Sequence, residues 1–164
     1  MVVVDSSVLI LLCRIGKLPL LEKYFKKVMI TQDIYDEIKS GIGSNEIEKA
    51  RRQWIKIENP KGSGESYNLS KLENLERADA SIIILSEEKK EILLSNDYAL
   101  IMTARTKGIE CWWLTTFILR CLRKRLLKKD EAKQILFELI EAGMRLSNDV
   151  YAAVLKEIDN FYLR

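Results

Sequence analysis

The feature that most constrains the fold is the alternation of short apolar runs with longer helical segments. The strand-like runs are VVV, VMI, ILL and CWWL, at residues 2–4, 28–30, 92–94 and 111–114. Segments with helical spacing lie at residues 7–15, 33–41, 47–55, 78–90 and 97–109. Short, continuously apolar strands are typical of a sheet covered on both faces, and their alternation with helices favours parallel pairing. We therefore predict a three-layer α/β/α fold with a short, mostly parallel central sheet.

From residue 115 onward the pattern is helical. The segments lie at residues 115–127, 130–144 and 147–162, with Gly143 predicted to close the middle one. A chain of 164 residues fits one domain. We predict a single domain over 1–164, in which residues 115–164 form a helical C-terminal extension. The turn-rich stretch at 59–68 is predicted to be a surface loop, and WIKIE at 54–58 a further short strand.

Composition narrows the available chemistry. The sequence contains no histidine, and its three cysteines have no metal-binding spacing. These facts exclude Ser-His-Asp and Cys-His catalysis and zinc sites built on histidine or thiolate, leaving carboxylates, hydroxyls and lysines. The net charge of +3 permits a nucleic-acid partner without requiring one. The cysteines form no disulfide framework, and the N-terminus does not resemble a signal peptide. No apolar run reaches the roughly 18 residues of a membrane span. We therefore predict a cytoplasmic protein without a membrane partner.

Four acids lie at strand ends or on helices of this predicted fold. Asp5 follows the first strand and Asp97 follows a later one, and each precedes a helix. In a parallel sheet both then lie at the carboxyl edge, where such folds bind ligands. Asp79 lies on the apolar stripe of its helix and Glu37 beside that of another. A charge on a core-facing stripe is costly unless it is paired, bound to a ligand or near solvent.

Taken singly, each acid has an ordinary structural interpretation. Asp5 and Asp97 are well placed as helix N-caps. Glu37 fits a solvated helix face, and Asp79 could pair with Arg77 or Lys71. Their joint arrangement is what favours a functional site.

The flanking motifs resemble those of the PIN-domain nucleases. The matching segments are VVVDSSVLI, ITQDIYDEI, ADASIIILS and ILLSNDYALIMTARTKGI, in this order and over residues 1 to about 110. The last segment is the most specific of the four. The helical tail is also similar to the C-terminal extension of an uncharacterised PIN subgroup, which extends the resemblance over nearly the whole chain.

The resemblance implies a set of catalytic acids: Asp5, Glu37, Asp79 and Asp97. Of these, Asp5, Asp79 and Asp97 would bind Mg²⁺ or Mn²⁺, and the hydroxyls of Ser6 and Ser95 would support them. Clustered carboxylates repel unless a cation neutralises them, and oxygen ligands suit these ions. Many toxin-type members have a further acid where this chain has Leu100 and Ile101, so a site with four core acids is expected.

The resemblance also implies an activity and partners. The activity is hydrolysis of single-stranded RNA, as the toxin of a toxin–antitoxin pair or as an RNA-processing enzyme. The partners are the RNA, a small antitoxin protein and a second copy of the chain in a homodimer. A catalytically weak PIN fold that acts as an RNA- or protein-binding module is the alternative.

Two further features allow a nucleic-acid interpretation. The basic run at 120–129 offers Arg120, Arg123 and Lys124 as phosphate contacts, although a solvated helix face explains it equally well. Tyr98 is a candidate for base stacking, with packing as the simpler interpretation. The tryptophans at 112 and 113 are predicted to be core residues.

Other enzyme classes fit less well. A dehalogenase-type phosphatase needs a second aspartate where this chain has Ser7. A receiver domain needs an acidic pair ahead of its phosphoacceptor strand, and only Met1 and valines precede Asp5. The GSGE stretch at 62–65 lacks the lysine and hydroxyl residue that follow the glycines of a phosphate-binding loop.

Overall fold

The central sheet consists of five strands of three residues each. The structure is a computed structural model that describes residues 1–62, 64, 68–71 and 75–161. The strands are β1 (Val2–Val4), β2 (Val28–Ile30), β3 (Ile55–Ile57), β4 (Leu93–Ser95) and β5 (Cys111–Trp113). They pair in the order β3-β2-β1-β4-β5, and every pairing is parallel. The predicted α/β/α fold is confirmed, with a fully parallel sheet.

Helices connect the strands and cover the sheet. Those described are α1 (Ser6–Arg14), α2 (Pro19–Phe25), α3 (Gln32–Ile38), α4 (Ser44–Arg51), α5 (Arg77–Lys89), α6 (Tyr98–Thr106), α7 (Leu114–Arg123), α8 (Lys129–Glu141) and α9 (Asn148–Asp159). Within the described ranges, none is both long and apolar enough to cross a membrane.

Several predicted boundaries differ from the observed ones. Strand β4 extends to Ser95 because this polar residue pairs with Trp113 of β5. The helix predicted at 47–55 ends at Arg51, since Ile55 already belongs to β3, so the further strand predicted at 54–58 exists. Helix α7 ends at Arg123, shortly before Arg125 adopts a positive φ of 58°.

Helix α2 was missed, although Pro19 at its first position is a common start signal. Gly143, with a φ of 109°, lies just beyond the end of α8, as predicted. The loop predicted at 59–68 falls partly outside the described residues, as does the last residue of the helix predicted at 147–162.

The strand order places a topological switch between β1 and β4. From β1 the chain adds β2 and β3 on one side, and then β4 and β5 on the other. The connections on either side of such a switch diverge, which leaves a crevice at the carboxyl ends of the two central strands. Asp5 directly follows β1, and Asp97 follows β4 after a single residue, Asn96.

The C-terminal helices share the core of the sheet. Helix α7 contacts β4, β5, α8 and α9. Phe117 of α7, Leu136 of α8 and Ile158 of α9 are fully buried in the same cluster as the strand valines. The prediction of a single domain with a helical extension stays a prediction, and this common core supports it.

Candidate active site

The four acids lie on or beside four different elements at one end of the sheet. Asp5 separates β1 from α1, and Asp97 separates β4 from α6. Glu37 lies in α3, and Asp79 lies in the first turn of α5. Helix α3 packs against both α1 and α5. The fold thus brings together acids that are up to 92 positions apart in the sequence.

Asp5 is a buried carboxylate surrounded by hydroxyls. Its side chain is only 2% exposed. Its Oδ2 accepts hydrogen bonds from Ser7 Oγ at 2.5 Å and Ser95 Oγ at 2.8 Å, and its Oδ1 accepts one from Ser6 Oγ at 3.3 Å. Burial raises the pKa of Asp5, and the three hydroxyls oppose that rise. The side chain makes no capping hydrogen bond to α1, so capping does not explain its position.

Asp79 is partly buried, and the charges of the neighbouring acids affect its pKa. Burial raises the pKa of its carboxyl group to about 7, and repulsion from Asp5, Asp97 and Glu37 adds to the effect in that order. Such repulsion acts between groups a few ångströms apart. Arg77, which the sequence suggested as a partner, instead lies 3.8 Å from Asp33.

Glu37 joins the group from α3. Its pKa is raised by partial burial and by repulsion from Asp5 and Glu76, while a hydrogen bond with the Ser6 side chain opposes the rise. Ser6 therefore contacts two of the predicted acids. Glu76, three residues before Asp79, adds negative charge to the same region.

Asp97 has two identifiable roles. Its Oδ1 accepts a hydrogen bond from the Leu100 amide at 2.8 Å, which caps α6. Its own amide donates to Ser95 Oγ at 3.0 Å, and Ser95 in turn donates to Asp5. Asp97 is exposed, and its charge contributes to the raised pKa of Asp79. Capping and participation in the acidic group therefore coexist.

Sequence reasoning missed three hydroxyls that hold the site together. Ser7 donates to Asp5 and accepts the Asn96 amide at 3.3 Å, which links the start of α1 to the residue after β4. Thr31 caps α3 and shares a buried hydrogen bond of 2.7 Å with Ser81 of α5. The DSS run was a visible signal for Ser7, but nothing in the sequence pairs positions 31 and 81.

The donor set suits a hard divalent cation, but the residues that the structure describes do not form a preformed metal centre. The grouped side chains offer carboxylate and hydroxyl oxygens, which Mg²⁺ and Mn²⁺ prefer. Within the described part of the chain, no three acidic or cysteine side chains are close enough to form a metal-binding group. The acids therefore interact electrostatically without already adopting ligating geometry.

The predicted phosphate contacts of α7 are occupied by other partners. The guanidinium of Arg120 lies 4.7 Å from the ring centre of Trp112, and Lys124 Nζ lies 3.8 Å from that of Tyr24. Arg123 lies 3.7 Å from Glu157. All three side chains are exposed, and these contacts explain their positions without RNA. Their role in nucleic-acid binding stays a prediction.

Comparison with known families decides the classification. A family model described as a PIN domain matches residues 1–160. The chain belongs to the PIN-domain family. This confirms the resemblance seen in the sequence motifs, and the match includes most of the helical tail. Comparison with curated proteins gives no match.

Family membership supports a general statement of function. PIN domains are generally nucleases, typically use divalent metals and bind nucleic acid, so this chain has a nuclease-type fold.

Proposed function

We propose that the protein is a Mg²⁺- or Mn²⁺-dependent endoribonuclease that hydrolyses phosphodiester bonds of single-stranded RNA. The observation that carries this proposal is the convergence of Asp5, Glu37, Asp79 and Asp97 on one end of the sheet. Burial and repulsion from Asp5, Asp97 and Glu37 raise the pKa of Asp79, so positive charge at this place would stabilise the ionised acids. Because the sequence has no histidine to activate the attacking water, we assign that role to a bound cation.

The residues have separate roles in this proposal. Asp5, Asp79 and Asp97 hold the cation, and Glu37 completes the acidic group. When bound, the cation neutralises the carboxylates, lowers the pKa of a water molecule and stabilises charge on the phosphate and the leaving oxygen. Ser95 and Ser7 orient Asp5 through hydrogen bonds to one of its oxygens, and Ser6 supports both Asp5 and Glu37. The expected product carries a 5′-phosphate.

One observation favours a second candidate. Because the described acids do not already form a metal-binding group, a PIN fold that binds RNA or protein with weak or no cleavage is the alternative. The two candidates differ in turnover, which is measured directly.

The test is cleavage of a mixed set of 5′-labelled single-stranded RNAs in the presence of Mn²⁺. We expect the wild type to cleave, and we expect Asp5→Asn, Asp97→Asn and added chelator each to abolish cleavage. Asp36→Asn is the matched control, because Asp36 lies next to Glu37 in α3 but forms an exposed ion pair with Lys39. Wild-type protein that binds RNA without cleaving it would establish the alternative.

Further parts of the proposal concern partners. A small antitoxin that covers the acidic edge and a homodimer formed through the helical tail are both compatible with the fold. The tail exposes apolar side chains at Phe137 and Val150.

The RNA substrate and three unpaired thiols support a cytoplasmic location. Growth arrest on expression, relieved by a neighbouring gene product, would identify a toxin, and sedimentation analysis would identify a dimer.

A further inference from the structure

Two aromatic rings lie stacked beside the acidic group. The rings of Tyr98 and Trp113 have centroids 6.4 Å apart and planes inclined at 29°. Trp113 is partly buried, whereas Tyr98 is 70% exposed, the highest value among the exposed large apolar side chains described. A tyrosine in the core would lose most of this exposure, so packing alone does not explain Tyr98. The tryptophan supports one side of the tyrosine, which remains open to solvent elsewhere.

The register of the sheet fixes the position of this pair relative to the acids. Val4 of β1 pairs with Leu94 of β4, so Asp5 lies across from Ser95. Ser95 in turn pairs with Trp113 of β5. Neighbouring strands are about 4.8 Å apart, which places the backbone of Trp113 roughly 10 Å from that of Asp5. Tyr98 directly follows Asp97 in the chain. The aromatic pair thus borders the acidic group.

The two tryptophan side chains of β5 contact different neighbours. Successive side chains of a strand point to opposite faces. Trp112 contacts Tyr24 and Phe25 within an aromatic cluster that also contains Phe117. Trp113 contacts Tyr98 instead. The Tyr98–Trp113 pair is therefore separate from the aromatic core formed around Trp112.

We propose that Tyr98, supported by Trp113, stacks against an unpaired nucleobase of the strand whose phosphate lies at the acids. This inference rests on the proposed function and adds a base-binding subsite to it. Every base has a π-face, so stacking tolerates sequence variation. Bases within a duplex already stack on their neighbours, and the subsite therefore selects single strands. Trp113 acts here as a positioning residue.

The test measures binding without cleavage. A fluorescein-labelled single-stranded RNA is titrated in chelator and followed by anisotropy, alongside the same strand with abasic positions. We expect Tyr98→Ala to weaken binding of the base-containing strand about 5- to 150-fold. Tyr98→Phe, which keeps the ring, should bind nearly as the wild type does. Ile42→Ala, which removes another exposed apolar side chain, is the control. For the abasic strand, wild type and Tyr98→Ala should bind alike.

The outcomes separate this inference from the proposed function. Equal affinity of wild type and Tyr98→Ala for the base-containing strand, or no binding by either, would overturn the subsite even if Mn²⁺-dependent cleavage is observed. An equal loss with the abasic strand would also overturn it, because the ring would then act on the backbone. Base-dependent binding that requires Tyr98, in a protein that never cleaves, would support the subsite and refute the nuclease. A matching result with single-stranded DNA would show that the subsite reads bases and not the sugar.

Discussion

The carboxyl group of Asp79 is more costly to ionise in the folded protein than in the unfolded chain. Its pKa rises from 3.8 to about 7 through burial and repulsion from the neighbouring acids. Between these two values the unfolded chain releases its proton first, so ionisation favours unfolding as pH increases. The penalty is absent below about pH 4 and complete above the folded pKa.

Replacing Asp79 should therefore stabilise the metal-free protein in a pH-dependent way. In chelator at pH 8, we expect Asp79→Asn to raise the free energy of unfolding by on the order of 1–2 kcal/mol, a value that allows for solvent screening. At pH 4 the gain should disappear. Urea unfolding at both pH values measures it, with Asp36→Asn as the control. An equal effect of Asp79→Asn at pH 4 and pH 8 would contradict the raised pKa.

Ser95 is predicted to matter more than an equally buried serine elsewhere. Its hydroxyl donates to buried Asp5 and accepts the Asp97 amide, so Ser95→Ala leaves a carboxylate and an amide each one partner short. We expect a loss of about 1–3 kcal/mol in the free energy of unfolding. Ser86→Ala is the control, because the Ser86 hydroxyl bonds only to the Ile82 carbonyl of its own helix. Equal losses for both variants would argue against a special role for Ser95.

At the scale of single residues, the sequence predicts which acids belong to the group, but not the hydrogen bonds and ring contacts between elements. Asp5 and Asp97 were predictable because each follows an apolar strand, and Glu37 and Asp79 because they lie on or beside helical stripes. The Ser7 and Thr31–Ser81 hydrogen bonds depend on distances between elements, which no local pattern encodes. The partners of Arg120 and Lys124 were hidden for the same reason, since the aromatic rings that they cover come from α2 and β5.

Among the elements, helix α6 permits a separation of capping from catalysis. Asparagine caps a helix about as well as aspartate does, whereas alanine costs about 1 kcal/mol. We therefore expect Asp97→Asn to keep the stability of the protein and Asp97→Ala to lower it by about 1 kcal/mol. Both variants should lose RNA cleavage. Urea unfolding and the cleavage assay measure the two effects, and wild-type cleavage by Asp97→Asn would reduce Asp97 to a helix cap.

The elements themselves were largely predictable from hydrophobic periodicity. Short β-branched runs specify β1 and β2 because both faces of these strands are buried. The boundaries of β4 and α4 were less accurate, because pairing between strands, rather than residue type, places Ser95 in β4 and Ile55 in β3. Helix α2 is only 7 residues long, too short for periodicity to be distinctive.

For the whole molecule, we predict that the tail and the sheet unfold together. The three tryptophans, at positions 54, 112 and 113, all precede the tail. Ile158 of α9 is fully buried, so we expect Ile158→Ala to cost about 2–5 kcal/mol and to shift the unfolding seen by tryptophan fluorescence. Lys156→Ala, at an exposed position of α9, should have little effect. A tryptophan transition unchanged by Ile158→Ala would mean that the tail is a separate unit.

The central proposal is that Asp5, Asp79 and Asp97, which come from three parts of the chain, together bind a divalent cation. Its most direct test is a Mn²⁺ titration in which the signal of the free ion is followed by electron paramagnetic resonance. We predict that the wild type binds Mn²⁺, that the affinity is weakened by about tenfold or more in both Asp79→Asn and Asp97→Asn, and that it is unchanged in Asp36→Asn. Absence of wild-type binding, or binding that all three variants retain, would contradict it.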